Sequence, residues 1–274
     1  MNKIIISQIT KELKITEKQV ISVLNLLEEG NTVPFIARYR KEATGSLDED
    51  QIRVVEKEYA YQAGLAKRKE EVIRLIDERG MLTPELEKDI NAAIKLQQVE
   101  DIYLPFKEKR KTKATEAIKN GLEPLAQFIE SFPKEEGSIK AEAKKFINEN
   151  VKDVDAAIEG AGFIIAERIS DTAKYREFIR DYSFKNGVIE TKAKKKAIEL
   201  DEKKKYEMYY DFSQVVMKVP SYRVLAFNRG EKEKVLSVNL EVNIDAIIEF
   251  ISSKEIKEQN SDSFKYFDSI IFQK

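Results

Sequence analysis

The stretch Thr32-Val-Pro-Phe-Ile-Ala-Arg-Tyr-Arg-Lys-Glu-Ala-Thr-Gly-Ser-Leu-Asp-Glu49 ends one predicted helical unit and begins the next. Pro34 fits the first turn of a helix, where a backbone N–H has no helical acceptor. The helical repeat then separates an apolar face from a basic side: Phe35, Ile36 and Tyr39 against Arg38, Arg40 and Lys41. The stretch therefore predicts a short amphipathic helix with one basic side.

The end of the same stretch predicts the start of a long helix. Gly45 is expected to cap the short helix in the left-handed conformation, and Ser46 with Glu49 is expected to form a capping box. No proline occurs from Leu47 to Arg79, and apolar residues recur with a helical period, so one helix is expected over residues 47–79. At about 1.5 Å per residue this helix would be roughly 50 Å long and would act as a strut.

Composition limits the chemistry that is open to this chain. Its 274 residues include no cysteine and no histidine, which excludes disulfides, thiol nucleophiles, imidazole bases and the usual zinc ligand sets. Lys and Arg number 48 against 49 Asp and Glu, so any attraction to a polyanion must come from a local patch. No run approaches the roughly 20 apolar residues that cross a bilayer, and no signal-peptide pattern is present. We therefore expect a cytoplasmic protein that is not an enzyme and uses no cofactor or metal.

Helical patterns dominate the whole chain, with short strand patterns near residues 187–192 and 234–242. The predicted class is mainly α, an elongated multi-helical assembly with helix-turn-helix-like elements. The predicted divisions are an N-terminal helical domain over residues 1–150, a helix-turn-helix or winged-helix-like element over residues 151–192, and a connector with further elements over residues 193–274.

The first two predicted helices, over about residues 2–13 and 16–29, are joined by a tight turn. Thr16 and Gln19 are placed as a capping box at the start of the second helix. The pair has the spacing of a DNA-binding helix-turn-helix, but few residues of the second helix suit contacts with base edges. A plain helical hairpin explains the pattern better.

Two sets of basic residues are candidate phosphate contacts. The first follows the helix break at Pro105 and comprises Lys107, Lys109, Arg110, Lys111 and Lys113, beside Tyr103 and Phe106, which could stack on unpaired bases. The second lies on two helices between Val154 and Tyr182 and comprises Arg168, Lys174, Arg176 and Arg180. The alternative is that both sets are solvated and that the aromatic residues pack against neighbouring helices. Gly160 and Gly162, in the same region, are expected to let another helix approach closely.

Three segments have a distinctive sequence: Pro34-Phe-Ile-Ala-Arg-Tyr-Arg-Lys-Glu42, Glu100-Asp-Ile-Tyr-Leu-Pro-Phe-Lys-Glu-Lys-Arg-Lys-Thr-Lys-Ala-Thr115 and Pro220-Ser-Tyr-Arg-Val-Leu-Ala-Phe-Asn-Arg-Gly-Glu-Lys-Glu-Lys-Val235. Together they resemble the Tex family of bacterial transcription accessory proteins. The resemblance implies a multi-domain protein, in which a helical N-terminal region precedes an RNase H-like domain, helix-hairpin-helix elements and an RNA-binding OB-fold. This chain would then be a truncated piece that covers the N-terminal helical region and the connector toward the RNase H-like domain.

The resemblance also implies contacts with the other domains of such a protein. The residues that match the family pattern and are expected at these contacts are Arg38, Arg40, Arg223, Asn228, Arg229 and Glu231. Two positions depart from the pattern, because Ser46 stands where a glycine is usual and Tyr222 where a histidine is usual. Ser46 keeps a good capping residue, whereas Tyr222 would replace or lose a ring N–H contact.

The leading hypothesis is a non-enzymatic helical scaffold of a transcription accessory protein. It would make weak, sequence-independent contacts with RNA or DNA and dock to its own C-terminal domains, to RNA polymerase or to other transcription machinery. One alternative is a purely structural interaction module, with nucleic-acid binding located in the C-terminal domains. Another is a metal-dependent nuclease built from carboxylates, although no cluster of acidic residues has a characteristic spacing.

Overall fold

In the computed structural model, which describes residues 3–108 and 111–272, the chain divides into two units, Met1–Phe106 and Lys107–Lys274. Both units are mainly helical, and the second also contains a three-stranded antiparallel sheet. The predicted class, mainly α with a few short strands, is confirmed. In the part of the chain that the structure describes, no helix combines the length and the apolar character needed to cross a membrane.

The first unit consists of helices and short turns. Its helices are α1 (Lys3–Leu13), α2 (Glu17–Glu28), α3 (Val33–Tyr39), α4 (Lys41–Thr44), α5 (Glu49–Asp77), α6 (Pro84–Ala92) and α7 (Leu96–Tyr103), with a 3-10 turn over Leu104–Phe106.

The long helix α5 carries two hydrophobic cores, one toward each end. Ile52 and Val55, near its start, are fully buried with residues of α1, α2 and α3. Val72 and Ile76, near its end, are fully buried with residues of α6 and α7. The predicted strut is therefore present, and within the first unit it separates two packed groups of helices.

The residue that caps α5 differs from the prediction. The backbone N–H of Gln51 donates to the Asp48 carboxylate over 2.8 Å, and the Gln51 side chain accepts from the Asp48 N–H over 3.1 Å. The expected capping box between Ser46 and Glu49 is wrong, because Ser46 has a φ of 63° and belongs to the left-handed turn that begins at Gly45. Two consecutive left-handed residues delay the start of the helix.

The start of α2 is tied to this turn through one side chain. The predicted capping box of Thr16 and Gln19 is confirmed, with the Thr16 N–H donating to Gln19 Oε1 over 2.9 Å. The same Gln19 amide donates to the carbonyl oxygens of Thr44 (3.2 Å) and Gly45 (3.4 Å). Gln19 thus fixes the chain reversal between α4 and α5 against the beginning of α2.

The second unit combines helices with the sheet. Its helices are α8 (Lys113–Lys119), α9 (Glu123–Glu130), α10 (Ser138–Ala143), α11 (Val154–Asp171), α12 (Ala173–Asn186), α13 (Ala197–Leu200), α14 (Ser221–Lys232), α15 (Ile244–Glu255) and α16 (Phe264–Phe272). Its strands are β1 (Val188–Ala193), β2 (Asp211–Val215) and β3 (Leu236–Glu241). Short 3-10 turns lie at Lys144–Phe146, Glu207–Tyr209 and Val216–Lys218.

Helix α11 forms the centre of the larger core of this unit. A Cβ added at Gly160 would overlap Cδ1 of Leu122, and a Cβ added at Gly162 would lie 3.3 Å from Cγ1 of Ile270 in α16. The two glycines therefore permit close packing of neighbouring elements, as predicted. Ala157, Ala161 and further small or branched residues complete the buried face of the helix.

The sheet has the strand order β2-β1-β3, and both pairings are antiparallel. Strands β1 and β3 confirm the strand patterns predicted near residues 187–192 and 234–242. Thr191 lies opposite Phe212 on one side and Val238 on the other, and its hydroxyl donates to the carbonyl oxygen of Tyr209 over 2.6 Å. The sheet thus joins one strand of the predicted 151–192 element with two strands from residues 193–274.

We predict that Gly45→Ala lowers the free energy of unfolding by about 1–2 kcal/mol, because Gly45 has a φ of 63° and an added Cβ would lie 2.8 Å from Nε2 of Gln19. Gly64 is the matched control, since it lies inside α5 with no heavy atom near an added Cβ, and Gly64→Ala should raise stability by about 0.5–1 kcal/mol. Urea unfolding followed by circular dichroism measures both. Equal shifts of the two variants in the same direction would contradict this account of the turn.

Candidate nucleic-acid interface

The first predicted basic set lies around the start of α8. Lys109 and Arg110 fall outside the described residues, and Lys107 is half-buried. Lys111 is exposed, and its Nζ lies 2.8 Å from Oε1 of Glu116, which raises the pKa of the lysine and lowers that of the glutamate. Lys113 is exposed, with its Nζ 4.5 Å from the ring centroid of Phe163. Lys111 and Lys113 therefore already interact with side chains of their own unit.

The aromatic residues expected to stack beside this set have different surroundings. Tyr103 is buried in the core that α5 forms with α6 and α7, and the guanidinium carbon of Arg68 lies 5.4 Å from its ring centroid. Phe106 is half-buried against the same core. Of the two possibilities for Tyr103, packing against neighbouring helices is the one present, because its ring lies in the core of the first unit.

Arg168, from the second predicted set, is the centre of an ion-pair network. Its Nε lies 2.5 Å from Oε1 of Glu130, and its Nη2 binds Oε2 of Glu255. The phenol of Tyr175 donates to Oε1 of the same Glu255 over 2.6 Å. The network links α9, α11, α12 and α15, so the charge of Arg168 is opposed by two carboxylates within the fold.

The surroundings of this network shift the pKa values of Glu255 and Tyr175 in opposite directions. Burial alone would raise the pKa of the Glu255 carboxyl, but donation from Arg168 and Tyr175 outweighs burial and holds that pKa below its usual range. Burial, together with donation to Glu255, raises the pKa of the Tyr175 phenol to about 12. Glu255 is therefore ionised and Tyr175 protonated at neutral pH, which is the state that the hydrogen bonds require.

The remaining predicted residues of α12 differ in exposure. Lys174 is exposed, whereas Arg176 and Arg180 are half-buried, and Nη1 of Arg176 donates to the carbonyl oxygen of Ser170 over 3.4 Å. The helix is held to α15 by stacking of Phe178 on Phe250, with ring centroids 3.6 Å apart. Along α12, Lys174 is the most accessible of the three predicted phosphate contacts.

The residues of α14 that were predicted at interdomain contacts also differ in exposure. Arg223 is half-buried, with its guanidinium 5.2 Å from the ring centroid of Phe212 and its Nη1 donating to Gln214 over 2.9 Å. Asn228 and Glu231 are exposed, and exposed Arg229 pairs with Glu233 over 2.9 Å. Arg223 thus holds α14 to β2, and the interdomain role of all four residues stays a prediction.

A different surface places basic and aromatic side chains together. We call it the α3–α4 surface, and it consists of Phe35, Arg38, Tyr39, Arg40 and Lys41. All five residues are exposed, and the rings of Phe35 and Tyr39 have centroids 5.1 Å apart. The guanidinium carbon of Arg40 lies 5.5 Å from the centroid of Phe35. Among the described residues, no carboxylate forms an ion pair with the three cations of this surface.

The backbone under this surface is fixed by buried groups. Val33 and Ile36 anchor α3 in the core, and Thr44, which is fully buried, anchors α4. The carbonyl oxygen of Arg40 accepts both the Thr44 N–H (3.1 Å) and the Thr44 hydroxyl (3.2 Å). Because Arg40 has a φ of −127° and a ψ of 28°, the chain leaves the helical path there, and α4 begins in a new direction.

The sequence prediction for this surface was partly wrong. Phe35, Ile36 and Tyr39 were expected to share one apolar face, but the structure buries Ile36 and exposes both aromatic rings. The signal that could have shown this is a second apolar pair in the stretch: Val33 and Ile36 are three residues apart, and Phe35 and Tyr39 are four apart, so each pair has helical spacing. A helix of this length cannot bury both pairs.

No group of three or more acidic side chains that could hold a metal ion occurs in residues 3–108 and 111–272.

Two regions of the chain match models of known protein families. Residues 3–77 match the model described as the Tex-like protein N-terminal domain, and residues 135–269 match the model described as Tex central region-like. The α3–α4 surface lies in the first matched region, and Arg168, α12 and α14 lie in the second. The basic residues 107–113 lie between the two.

Several curated proteins are similar over most of the chain. The uncharacterized protein YdcI of Bacillus subtilis is 49% identical over 257 residues, which are 93% of this chain and 35% of that protein. The transcriptional accessory protein Tex of Neisseria gonorrhoeae is 38% identical over 237 residues, 86% of this chain and 31% of that protein. The human S1 RNA-binding domain-containing protein 1 is 29% identical over 230 residues, 81% of this chain and 23% of that protein. The chain thus spans about a third or less of the length of these relatives.

We predict that Glu255→Gln lowers the free energy of unfolding by about 1 kcal/mol at neutral pH, because Arg168 keeps one of its two carboxylates. The folded-state pKa of Glu255 lies below the usual value, so its stabilising effect is present above the unfolded-state pKa and is lost as pH falls through the folded-state pKa. The difference from the parent protein should therefore shrink as the pH falls below the usual pKa of a glutamate.

Urea unfolding at a series of pH values measures this difference. Glu49→Gln is the control, because Glu49 forms an exposed pair with Arg53 inside one helix and should change stability by less than about 0.5 kcal/mol. A deficit for Glu255→Gln that stays constant with pH would contradict the ionic account of the network.

Proposed function

This chain belongs to the Tex family, and from that premise we propose that it is a non-enzymatic helical module of a transcription accessory protein that makes weak, sequence-independent contacts with nucleic acid. The names of two relatives, a transcriptional accessory protein and an S1 RNA-binding domain-containing protein, support a role of this kind. Such a role would place the protein in the cytoplasm, together with nucleic acid and the transcription machinery.

The observation that carries the proposal is the set of unpaired cations on the α3–α4 surface. Arg38, Arg40 and Lys41 are exposed, and no described carboxylate pairs with them. The net charge of the chain is −1, so attraction to a polyanion depends on such a local cluster. Because these cations need not first break an internal ion pair, phosphate groups can bind them at little cost.

The basic residues at the start of α8 offer a weaker case. Lys111 would have to leave Glu116 before it could bind a phosphate, and Lys113 already interacts with the ring of Phe163, as Arg40 does with that of Phe35. Both interactions are exposed and individually weak, so they reduce affinity without abolishing it. We therefore rank this second surface below the α3–α4 surface as a nucleic-acid contact.

The remainder of the first unit would act as a scaffold. Helix α5 has 29 residues and a length of roughly 44 Å at about 1.5 Å per residue. The core that holds Ile36 lies at the start of α5, and a separate core with α6 and α7 lies near its end. A rigid base of this kind presents the five side chains of the α3–α4 surface in a fixed arrangement.

Protein docking is a second candidate function, and exposed apolar residues favour it. Tyr222 and Leu225 on α14 are 63% and 70% exposed, and Met217 just before the helix is 53% exposed. Tyr222 and Leu225 are three residues apart on one helix and therefore lie on the same side of it, and exposed apolar neighbours are typical of surfaces that meet another protein. We propose that α14, with Asn228 and Arg229, faces other domains of a longer protein or the transcription machinery.

We predict that a fluorescently labelled oligonucleotide binds the chain at low salt and that affinity falls steeply as salt rises, since each neutralised phosphate releases counterions. Arg38→Gln combined with Arg40→Gln should weaken binding at every sequence tested. The slope of log affinity against log salt should also fall by about 1 for each phosphate that the variant no longer neutralises. Fluorescence anisotropy measures both quantities.

The matched control combines Arg53→Gln with Arg74→Gln. Both arginines are exposed on α5, each pairs with a glutamate four residues away, and the change in net charge is the same. An equal loss of affinity in the control would mean that only the net charge of the chain matters. If only the variant that combines Lys111→Gln with Lys113→Gln lost affinity, the phosphate contact would lie at the start of α8 and not on the α3–α4 surface.

A further inference from the structure

The two rings of the α3–α4 surface are placed against the usual preference of aromatic side chains. Tyr39 is 67% exposed and Phe35 is 38% exposed. They lie one helical turn apart, with ring planes inclined by 46°. Aromatic side chains bury large apolar areas in most folds, so an exposed adjacent pair is an unused contact surface.

Local packing prevents this pair from turning inward. Val33 is 6% exposed and Ile36 is fully buried, and together they occupy the side of α3 that faces the core. Val33 and Tyr39 lie on opposite sides of Ile36 around the helix, so a rotation that buried Tyr39 would expose Val33 to water. The hydrogen bonds from Thr44 to the carbonyl oxygen of Arg40 further fix the end of the helix. The rings are therefore held in solvent by the fold itself.

Three exposed cations lie within the same seven residues as these rings. The guanidinium of Arg40 lies over the face of Phe35, and Arg38 and Lys41 are exposed on the same short segment. Proteins that bind single strands without sequence preference combine cations for the phosphates with aromatic faces on which the bases stack. The α3–α4 surface contains both kinds of group within seven residues of sequence.

We infer that the α3–α4 surface is a stacking site for unpaired bases, so that the nucleic acid bound by this chain is single-stranded; the inference rests on the proposed function. A duplex offers phosphates to the cations, but its base faces are covered by neighbouring base pairs. A single strand offers both phosphates and free base faces. An acidic peptide could meet the three cations, but its carboxylates provide no face for Phe35 and Tyr39 to stack upon.

A tryptophan reporter tests the stacking step directly. The chain contains no tryptophan, so Tyr39→Trp introduces a single indole at the centre of the surface. A single-stranded oligonucleotide should quench its fluorescence, because a stacked base lies against the ring. An abasic oligonucleotide of the same phosphate count and a duplex should quench it weakly. Met208→Trp is the control, since Met208 is also 67% exposed and lies in the second unit, and it should not be quenched.

Affinity measurements on a variant without the tryptophan reporter test the same step. Phe35→Leu combined with Tyr39→Leu keeps apolar bulk and removes the flat rings, and it should weaken single-strand binding by about fivefold or more. The affinity for duplex and for abasic oligonucleotide should stay within about twofold, because those ligands use the cations alone. Circular dichroism and urea unfolding verify that the variant is folded.

The outcomes separate this inference from the proposed function. Unchanged single-strand binding by the leucine variant, with weaker binding by Arg38→Gln and Arg40→Gln, would overturn base stacking and leave the phosphate contact in place. Unchanged binding by both variants would overturn both proposals. Equal quenching of Tyr39→Trp by polyglutamate and by the single strand would also overturn the inference, because it would identify an acidic protein segment as the partner.

Discussion

Burial of Ile36 determines which side of α3 meets solvent. Its side chain is fully buried with Ile52 and Val55 of α5, so α3 cannot rotate without opening the core at the start of the long helix. A seven-residue helix has room for one buried face, and Val33 with Ile36 occupies it. The exposed position of Phe35 and Tyr39 is therefore a consequence of core packing and needs no separate stabilising interaction.

Local signals in the sequence were sufficient for much of the first unit. The Thr16 capping box, the left-handed Gly45 and the single long helix follow from short-range rules of backbone geometry, and each is present. The cap of α5 was misassigned because Ser46 and Asp48 are both good capping residues, and the choice depends on how many left-handed residues precede the helix. The capping preferences of Ser46 and Asp48 do not reveal how many left-handed residues precede the helix.

Long-range interactions account for most of what sequence analysis missed. Strand β2 was not predicted, because its own sequence pattern is weak and its pairing with β1 defines it. Strand β1 lies about twenty residues earlier in the chain. Arg168 resembled a phosphate contact because its partners, Glu130 and Glu255, lie 38 and 87 residues away. Counting positive charges along a sequence overestimates free cations wherever the fold brings carboxylates to them.

The same reasoning supports the proposal that a small, nearly neutral module binds a polyanion through one local surface. A cation that already forms a salt bridge gains little binding free energy from a phosphate, because the phosphate contact replaces the contact with the carboxylate. Three unpaired cations lose no such contact when they bind a phosphate. Such a surface remains weak alone, since few phosphates are neutralised. Joined to another nucleic-acid-binding segment in a longer chain, it would act at an effective concentration in about the millimolar range, and a weak contact would then be occupied without high intrinsic affinity.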